Sequence, residues 1–294
     1  YIKSQQIDTI VTTGPPHSLH LIGLQLKQKH ALKWVADFRD PWTHIGYHKK
    51  LKLTRLSKRK HKQLEASVLM NSDQIIVTSP QTKLILSKRT KSPVIVITNG
   101  YDFEINKSCK LDTKFTLSHV GNLQDGRNPE FLWKTLHDLV QNSIDFSKHF
   151  RLNLIGYISE AVLNSIRIYG LEAYTNYSGY VSHSEALEYQ SRTQLLLLIE
   201  ENSKETKYII PGKLFEYIAS RRPIIAIGPD GSDIENIVTK SASGNYFRYE
   251  ESELLSSVIL GYFERYKRND LYVEPKEIEK YSRRNLTFEL SKLL

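Results

Sequence analysis

Residues 208–228 read YIIPGKLFEYIASRRPIIAIG. A loop delivers Pro211, Gly212 and Lys213 into the start of a short helix, and Glu216 follows Lys213 by three residues. That spacing puts the ammonium and the carboxylate on one helix face. One chemistry for such a start is anion binding, because the first N–H groups of a helix lack partners and Lys213 adds a full charge. Glu216 could then accept from a hydroxyl pair, as a ribose diol offers. The bland alternative is a proline and a glycine that merely start the helix, with a solvated Lys–Glu pair.

A second stretch has the same character. In HVGNLQDGRNP (119–129), Gly121 permits close backbone approach, Asn122 offers amide donors and Arg127 supplies a rigid positive fork. Both stretches follow an apolar run and open a helix. A third, DFRDPW (37–42), ends a strand in the first half and carries Arg39 and Asp40. Asp40 could act as a base toward an acceptor hydroxyl, or it could cap the turn before Pro41.

Such loops need a parallel sheet behind them, since ligands sit beyond the carboxyl ends of its strands. The chain has the required alternation. Strand-like apolar runs occupy 8–13, 33–38, 74–79 and 93–98, with helical patterns between them. The strand count ahead of the linker is put at three, short of the five or six of a doubly wound domain. A stretch without sustained period, 99–114, reads as a linker. Five further strands are expected within 115–121, 151–156, 175–181, 194–200 and 222–228. Helices are expected at 129–142, 159–169, 184–192, 213–220 and 232–239, with a helical C-terminus. The fold class is α/β, two parallel-sheet halves, the first incomplete on its N-terminal side. Because the chain starts at Tyr1 rather than Met, a fragment is expected.

These motifs together resemble the GT-B glycosyltransferases of family 4, and most of all their bacterial surface-polysaccharide branch. Matching stretches cover most of the chain, including PPHSLHLIGLQLK, DFRDPW, EASVLMNSDQIIVTS, ITNGYD, HVGNLQDGRNP and PGKLFEYIASRRPIIAIGPDGSD. The last is the most specific. The resemblance implies two Rossmann-like halves: residues 1–105 as a partial acceptor-side domain, and 106–294 as a nucleotide-sugar-binding domain whose last helix packs back on the first. It implies transfer of a sugar from a nucleotide-diphosphate sugar to a polysaccharide or lipid-linked acceptor, with retention and without metal. No cofactor is expected beyond that co-substrate.

The carry-over is residue by residue. Where the family has an Arg after the loop glycine this chain has Asn122, and Arg127 takes the place of its Lys. Glu216 matches the ribose-binding second glutamate of the family's pair. Tyr208 replaces the first. Lys213 matches a lysine of the polysaccharide branch and supplies charge toward the diphosphate. Tyr180 and Val181 would flank the base. Arg39 and Asp40 occupy the place where the family often has a catalytic His. Two alternatives stay open: a sugar-nucleotide epimerase of similar architecture, and a non-catalytic nucleotide-binding remnant acting as a partner subunit.

The bulk numbers exclude other classes. One cysteine, Cys109, rules out a disulfide framework and fits a reducing, cytoplasmic setting. No apolar run approaches a membrane span, and no signal peptide is expected. His17 and His20 share a helix face but lack a third ligand. No D-x-D, G-x-S-x-G or G-x-G-x-x-G occurs. Eight of the nine net positive charges fall in 41–64: Lys49, Lys50, Lys52, Arg55, Lys58, Arg59, Lys60 and Lys62. This patch, 49–62, suggests an anionic partner, whether phospholipid at the inner face of the cytoplasmic membrane, a lipid-linked phosphate or nucleic acid; the alternative is a solvated lysine-rich helix with no partner. No nucleic-acid module surrounds it. Its leucines are expected to face the core.

Overall fold

A computed structural model describes residues 2, 4–44, 51–102 and 109–294. Lys49, Lys50 and the linker residues 103–108 lie outside them. The chain divides into two compact units. The first comprises 1–100, 205–211 and 280–294, the second 101–204 and 212–279.

The first unit opens with β1 (Thr9–Gly14), α1 (Leu19–Lys29), β2 (Lys33–Phe38), α2 (Arg55–Asn71), β3 (Gln74–Val77), α3 (Pro80–Ser87) and β4 (Val94–Val96). The sheet is all parallel, in the order β1-β2-β3-β4. The count of three strands is therefore one short. All four apolar runs marked in the sequence form strands, the last of them, β4, three residues long and paired with β3. Inner strands of a parallel sheet are covered on both faces, and the sequence of β2 reflects that. Trp34, Ala36 and Phe38 pack with Val68, Leu69 and Leu86 of α2 and α3. Val35 points to the other face, with Ile76 and Ile97.

The second unit adds β5 (Phe115–Val120), α4 (Glu130–Asn142), α5 (Ile144–His149), β6 (Phe150–Ile155), α6 (Glu160–Ile168), β7 (Thr175–Gly179), α7 (His183–Arg192) and β8 (Leu195–Ile199). It continues with α8 (Lys213–Ala219), β9 (Ile224–Gly228), α9 (Asp233–Lys240), β10 (Gly244–Arg248) and α10 (Ser252–Lys267). Its six strands are parallel, in the order β10-β9-β8-β5-β6-β7. Counted within the unit this is 6-5-4-1-2-3, the doubly wound order, with its reversal between β5 and β8. The central strands β5, β8 and β9 are buried throughout. The edge strands β7 and β10 are polar and short, as edges that must not pair further require.

The five strands expected from sequence all form, and β10 (GNYFR) is a sixth. Only its Phe247 is buried, so it carries no apolar run. The helices α5 and α10 also lie outside the sequence expectation. The chain ends in α11 (Arg283–Ser291), which belongs to the first unit. There Leu286, Leu290 and Leu293 pack against Val35, Ile76 and Ile97, closing the second face of that sheet.

Candidate functional site

The reversal of strand order opens a crevice between the loops that leave β5 and β8. Those loops carry the glycine-arginine stretch 121–127 and the approach to Pro211-Gly212-Lys213. Gly121 leaves β5 at φ +112°, a backbone that L side chains avoid. A Cβ there would stand 3.4 Å from the Lys213 ammonium. The N–H of Gly121 bonds the Ile155 carbonyl at 2.7 Å, which pins the turn to β6. Arg127 closes a short turn of helix over Asp125–Arg127. Its guanidinium has no carboxylate partner among the described residues.

Lys213 is the first residue of α8, behind Gly212 as its N-cap. It forms no ion pair with Glu216, so the solvated-pair reading does not hold. The ammonium turns inward. It donates to the Val120 carbonyl at 2.9 Å and lies 3.2 Å from His119 Nε2. Burial, with the Arg127 charge second, pulls its pKa down to about 7. His119 at the end of β5 is wholly buried, and its Nδ1 lies 3.1 Å from the Leu197 carbonyl. Burial, then Lys213, holds its pKa well below the usual range. The ring is neutral: Nδ1–H donates to Leu197, and the Nε2 lone pair accepts from Lys213. The sequence reading quoted this stretch but gave His119 no role. Its position beside the loop glycine is the only signal it offers.

Glu216 lies one helical turn on and faces a different element. Its Oε1 is 3.1 Å from His183 Nε2 and its Oε2 accepts from Gln190 Nε2 at 2.9 Å. His183 and Gln190 are seven residues apart on α7, hence on one face. A capping box of Ser182 and Glu185 fixes the start of that helix. Neither His183 nor Gln190 figures in the sequence reading, although the helix itself does. Val181 and Tyr180 precede this cap by one and two residues. The Tyr180 ring is 91% exposed. Asn122 and Gly212 are exposed on their loops.

Glu200 follows β8 directly and is also absent from the sequence reading. It is buried, accepting from Tyr246 Oη and Ser232 Oγ, each at 2.8 Å. Burial pushes its pKa up to about 8. Its carboxyl is therefore neutral near pH 7, and Arg127 and Lys213 are not charge-balanced by it.

The remaining candidates sit in the first unit. Pro211 ends the segment 205–211. Tyr208 in that segment is buried and donates to the His44 carbonyl. Arg39 and Asp40 follow β2. The Arg39 guanidinium donates to Asn99 Oδ1 and lies 4.0 Å from Asp37 Oδ2. Asp40 is half-buried, and burial raises its pKa, against the smaller pull of Arg39. Its carboxylate caps no turn among the described residues. His17 and His20 belong to the core: His20 stacks on Phe38 at 4.5 Å and His17 on Trp42 at 5.3 Å. Among the described residues no group of three His, Cys, Asp or Glu could hold a metal ion.

The basic segment corrects one expectation. Leu51 and Leu56 do not face the core: they are 53% and 80% exposed. The first two turns of α2 extend beyond what the sheet can cover, and only from Leu64 onward does the helix pack inward. No helix among the described residues is long and apolar enough to cross a membrane.

No family model matches the chain, and no curated protein matches it by sequence. Solved structures do match in fold. Sucrose-phosphate synthase from Thermosynechococcus elongatus superposes with a TM-score of 0.71 at 15% identity, over 100% of this chain and 74% of that one. Anabaena HepE, solved with UDP and glucose, gives 0.68 at 13% over 99% and 78%. TarM gives 0.62 at 13%, over 97% of this chain but only 54% of its own length. A putative UDP-N-acetylglucosamine 2-epimerase from Listeria monocytogenes gives 0.59 at 10%, over 99% and 75%. At such identities the likeness is one of fold, and that fold is the α/β GT-B type with a smaller first half.

Proposed function

We propose that this chain transfers a sugar from a nucleotide-diphosphate sugar to a cell-surface polysaccharide or lipid-linked acceptor, with retention and without a metal. One observation carries the reading. At the strand-order reversal, Lys213 and Arg127 stand without carboxylate partners over a glycine turn, while Glu216 is aimed separately by His183 and Gln190. Two unbalanced cations suit a diphosphate. A fixed carboxylate beside them suits a ribose diol, and the exposed Tyr180 suits a base.

In that mechanism the bond from the sugar carbon to the diphosphate oxygen breaks. Lys213 and Arg127 stabilise the charge that develops on the leaving oxygens. The acceptor oxygen forms the new bond and gives up its proton, for which Asp40 is the base candidate. The raised pKa of Asp40 suits a group that must take a proton. Solved structures of the same fold that hold UDP with glucose support a uridine donor as the first to try.

An epimerase is the second reading, favoured by the Listeria fold neighbour. The experiment that tests both is a thermal-shift panel of nucleotide sugars followed by product analysis. A ligand at about 100 times its Kd should stabilise by ~2.7 kcal/mol. Sugar found on an added acceptor upholds transfer. Inversion of the free nucleotide sugar upholds the epimerase. No shift with any nucleotide sugar rejects both.

A further inference from the structure

The donor reading uses little of the first unit, yet that unit carries its own charged cavity. At the carboxyl ends of β2 and β4, an open pocket of about 190 Å³ is lined by Arg39, Thr98, Asn99, Arg283 and Thr287. The end of a parallel sheet is where ligands collect. Arg283 has no carboxylate partner among the described residues. It opens α11, is followed by Arg284, and no acid stands in that first turn. Two cations at the positive end of a helix are unfavourable by themselves. Arg39 donates to the Asn99 amide oxygen, lies 4.0 Å from Asp37 and also acts on the Asp40 carboxyl, but neither carboxylate holds it in a close bidentate pair. Thr98 Oγ1 is buried with no hydrogen-bond partner.

Two planar guanidinium forks and two threonine hydroxyls lining one pocket offer more donors than one carboxylate can accept. A phosphoryl group, with three free oxygens, matches them. The rest of the lining is apolar, from Ile97, Leu286 and Leu290. That wall suits a carbon stem attached to the anion rather than free phosphate. We infer that this cavity binds a phosphomonoester, its phosphoryl group between Arg39 and Arg283 and its carbon stem along α11. The inference rests on the transferase reading only where it makes that molecule the acceptor.

The test is calorimetric titration with sn-glycerol 3-phosphate, with dihexanoyl phosphatidic acid below its micelle concentration, with neutral glycerol, and with UDP. Wild type, Arg283→Gln and Lys213→Met are compared. Arg283 is exposed at a helix start, so its loss should not unfold the chain. A phosphomonoester should bind where glycerol does not, and its affinity should fall about tenfold or more in Arg283→Gln, as for the loss of a charge-assisted bond. Lys213→Met should keep it. Equal affinity for both phosphomonoesters makes the ligand a soluble one, and binding of the short-chain lipid alone makes it a lipid; either upholds the site. No phosphomonoester binding, unchanged affinity in Arg283→Gln, or an equal loss in Lys213→Met would overturn it. Failure of UDP to bind while a phosphomonoester still does would reject the donor reading and leave this site standing.

Discussion

The ammonium of Lys213 is 3.2 Å from the Nε2 of His119, a buried, neutral ring whose other nitrogen is committed to the Leu197 carbonyl. A lysine held against a neutral imidazole and a carbonyl has partners but no paired carboxylate, and Glu216 one turn away only weakly offsets its burial. Burial and Arg127 accordingly bring its pKa to about 7. A diphosphate would supply the counter-charge and raise that pKa again. Below pH 7 Lys213 is already charged, so diphosphate affinity should be flat. Above pH 7 binding must take up a proton, so the association constant should fall by up to tenfold per pH unit. Titrations of a nucleotide-diphosphate sugar such as UDP-glucose, whose doubly esterified diphosphate has no second ionisation in this range, read this directly between pH 6 and 9. Lys213→Met should remove the slope and cost roughly 1.5–3 kcal/mol, the worth of a hydrogen bond to a charged group. A slope that survives the substitution would assign the titration to another group.

Arg127 and Glu216 should separate the two ends of the donor. Arg127→Ala should weaken UDP and pyrophosphate together, by roughly 1.5–3 kcal/mol, because its role is toward phosphate. Glu216→Gln should weaken UDP while leaving pyrophosphate inhibition unchanged, because only the nucleoside has a diol. The Gln can still accept from His183 or Gln190, so the helix contacts survive. Equal losses for both ligands in Glu216→Gln would place that carboxylate near the phosphates instead.

Glu200 predicts a pH-dependent stability. Its folded pKa is about 8, raised by burial above the usual 4.5. The folded chain therefore keeps a proton that the unfolded chain releases, and stability falls as pH rises from 4.5 toward 8. Lys213 acts oppositely, but only above about pH 7, where the unfolded chain holds the extra proton. Between pH 5 and 7 the Glu200 contribution stands clear of it. Buried neutral His20 and His119, whose pKa values are lowered, act oppositely up to about pH 6.5, so the Glu200 contribution is read as the difference between two urea-unfolding curves. Glu200→Gln keeps one acceptor oxygen for Tyr246 or Ser232, and its stability should rise relative to wild type by an amount on the order of a few kcal/mol between pH 5 and 7. An unchanged slope in Glu200→Gln would mean that the carboxyl ionises normally.

Much of the scaffold was written in apolar runs. The sequences of β2, β5, β8 and β9 are nearly continuous because both faces of each strand are covered, and such runs are hard to misread. The strand that no run marked is an edge, β10, which buries one phenylalanine. Its place comes from its neighbour rather than from its own pattern. At the site, glycine and helix-start chemistry marked Gly121, Arg127 and Lys213, because those residues act through local backbone geometry. His119, Gln190 and Glu200 were not legible. Each is buried by strands or helices far away in sequence, and a polar residue at the end of a strand looks the same whether it meets solvent or another side chain. Leu51 and Leu56 show the reverse error, since helical periodicity tells which face is apolar but not how far the core extends.

That exposed end of α2 gives the last prediction. Arg55, Lys58, Arg59 and Lys62 line one open surface on it, with no carboxylate among the residues of that patch. Beside them Leu56 is 80% exposed and Leu51 53%. Apolar side chains set among cations on a helix are the composition of a segment that lies in a lipid interface, where leucines enter the acyl boundary and lysines meet phosphates. A solvated helix needs the charges but gains nothing from the leucines. Each basic residue near an anionic bilayer is worth about 1 kcal/mol, screened by salt. The chain should therefore sediment with vesicles rich in phosphatidylglycerol, release as salt is raised, and ignore vesicles of phosphatidylcholine. Neutralising Lys58, Arg59, Lys60 and Lys62 together should abolish capture without changing UDP affinity. Leu56→Ser should weaken capture at high salt, where only the apolar contribution remains. Capture that is indifferent to vesicle charge, or absent from both kinds, would return this helix end to the solvated reading.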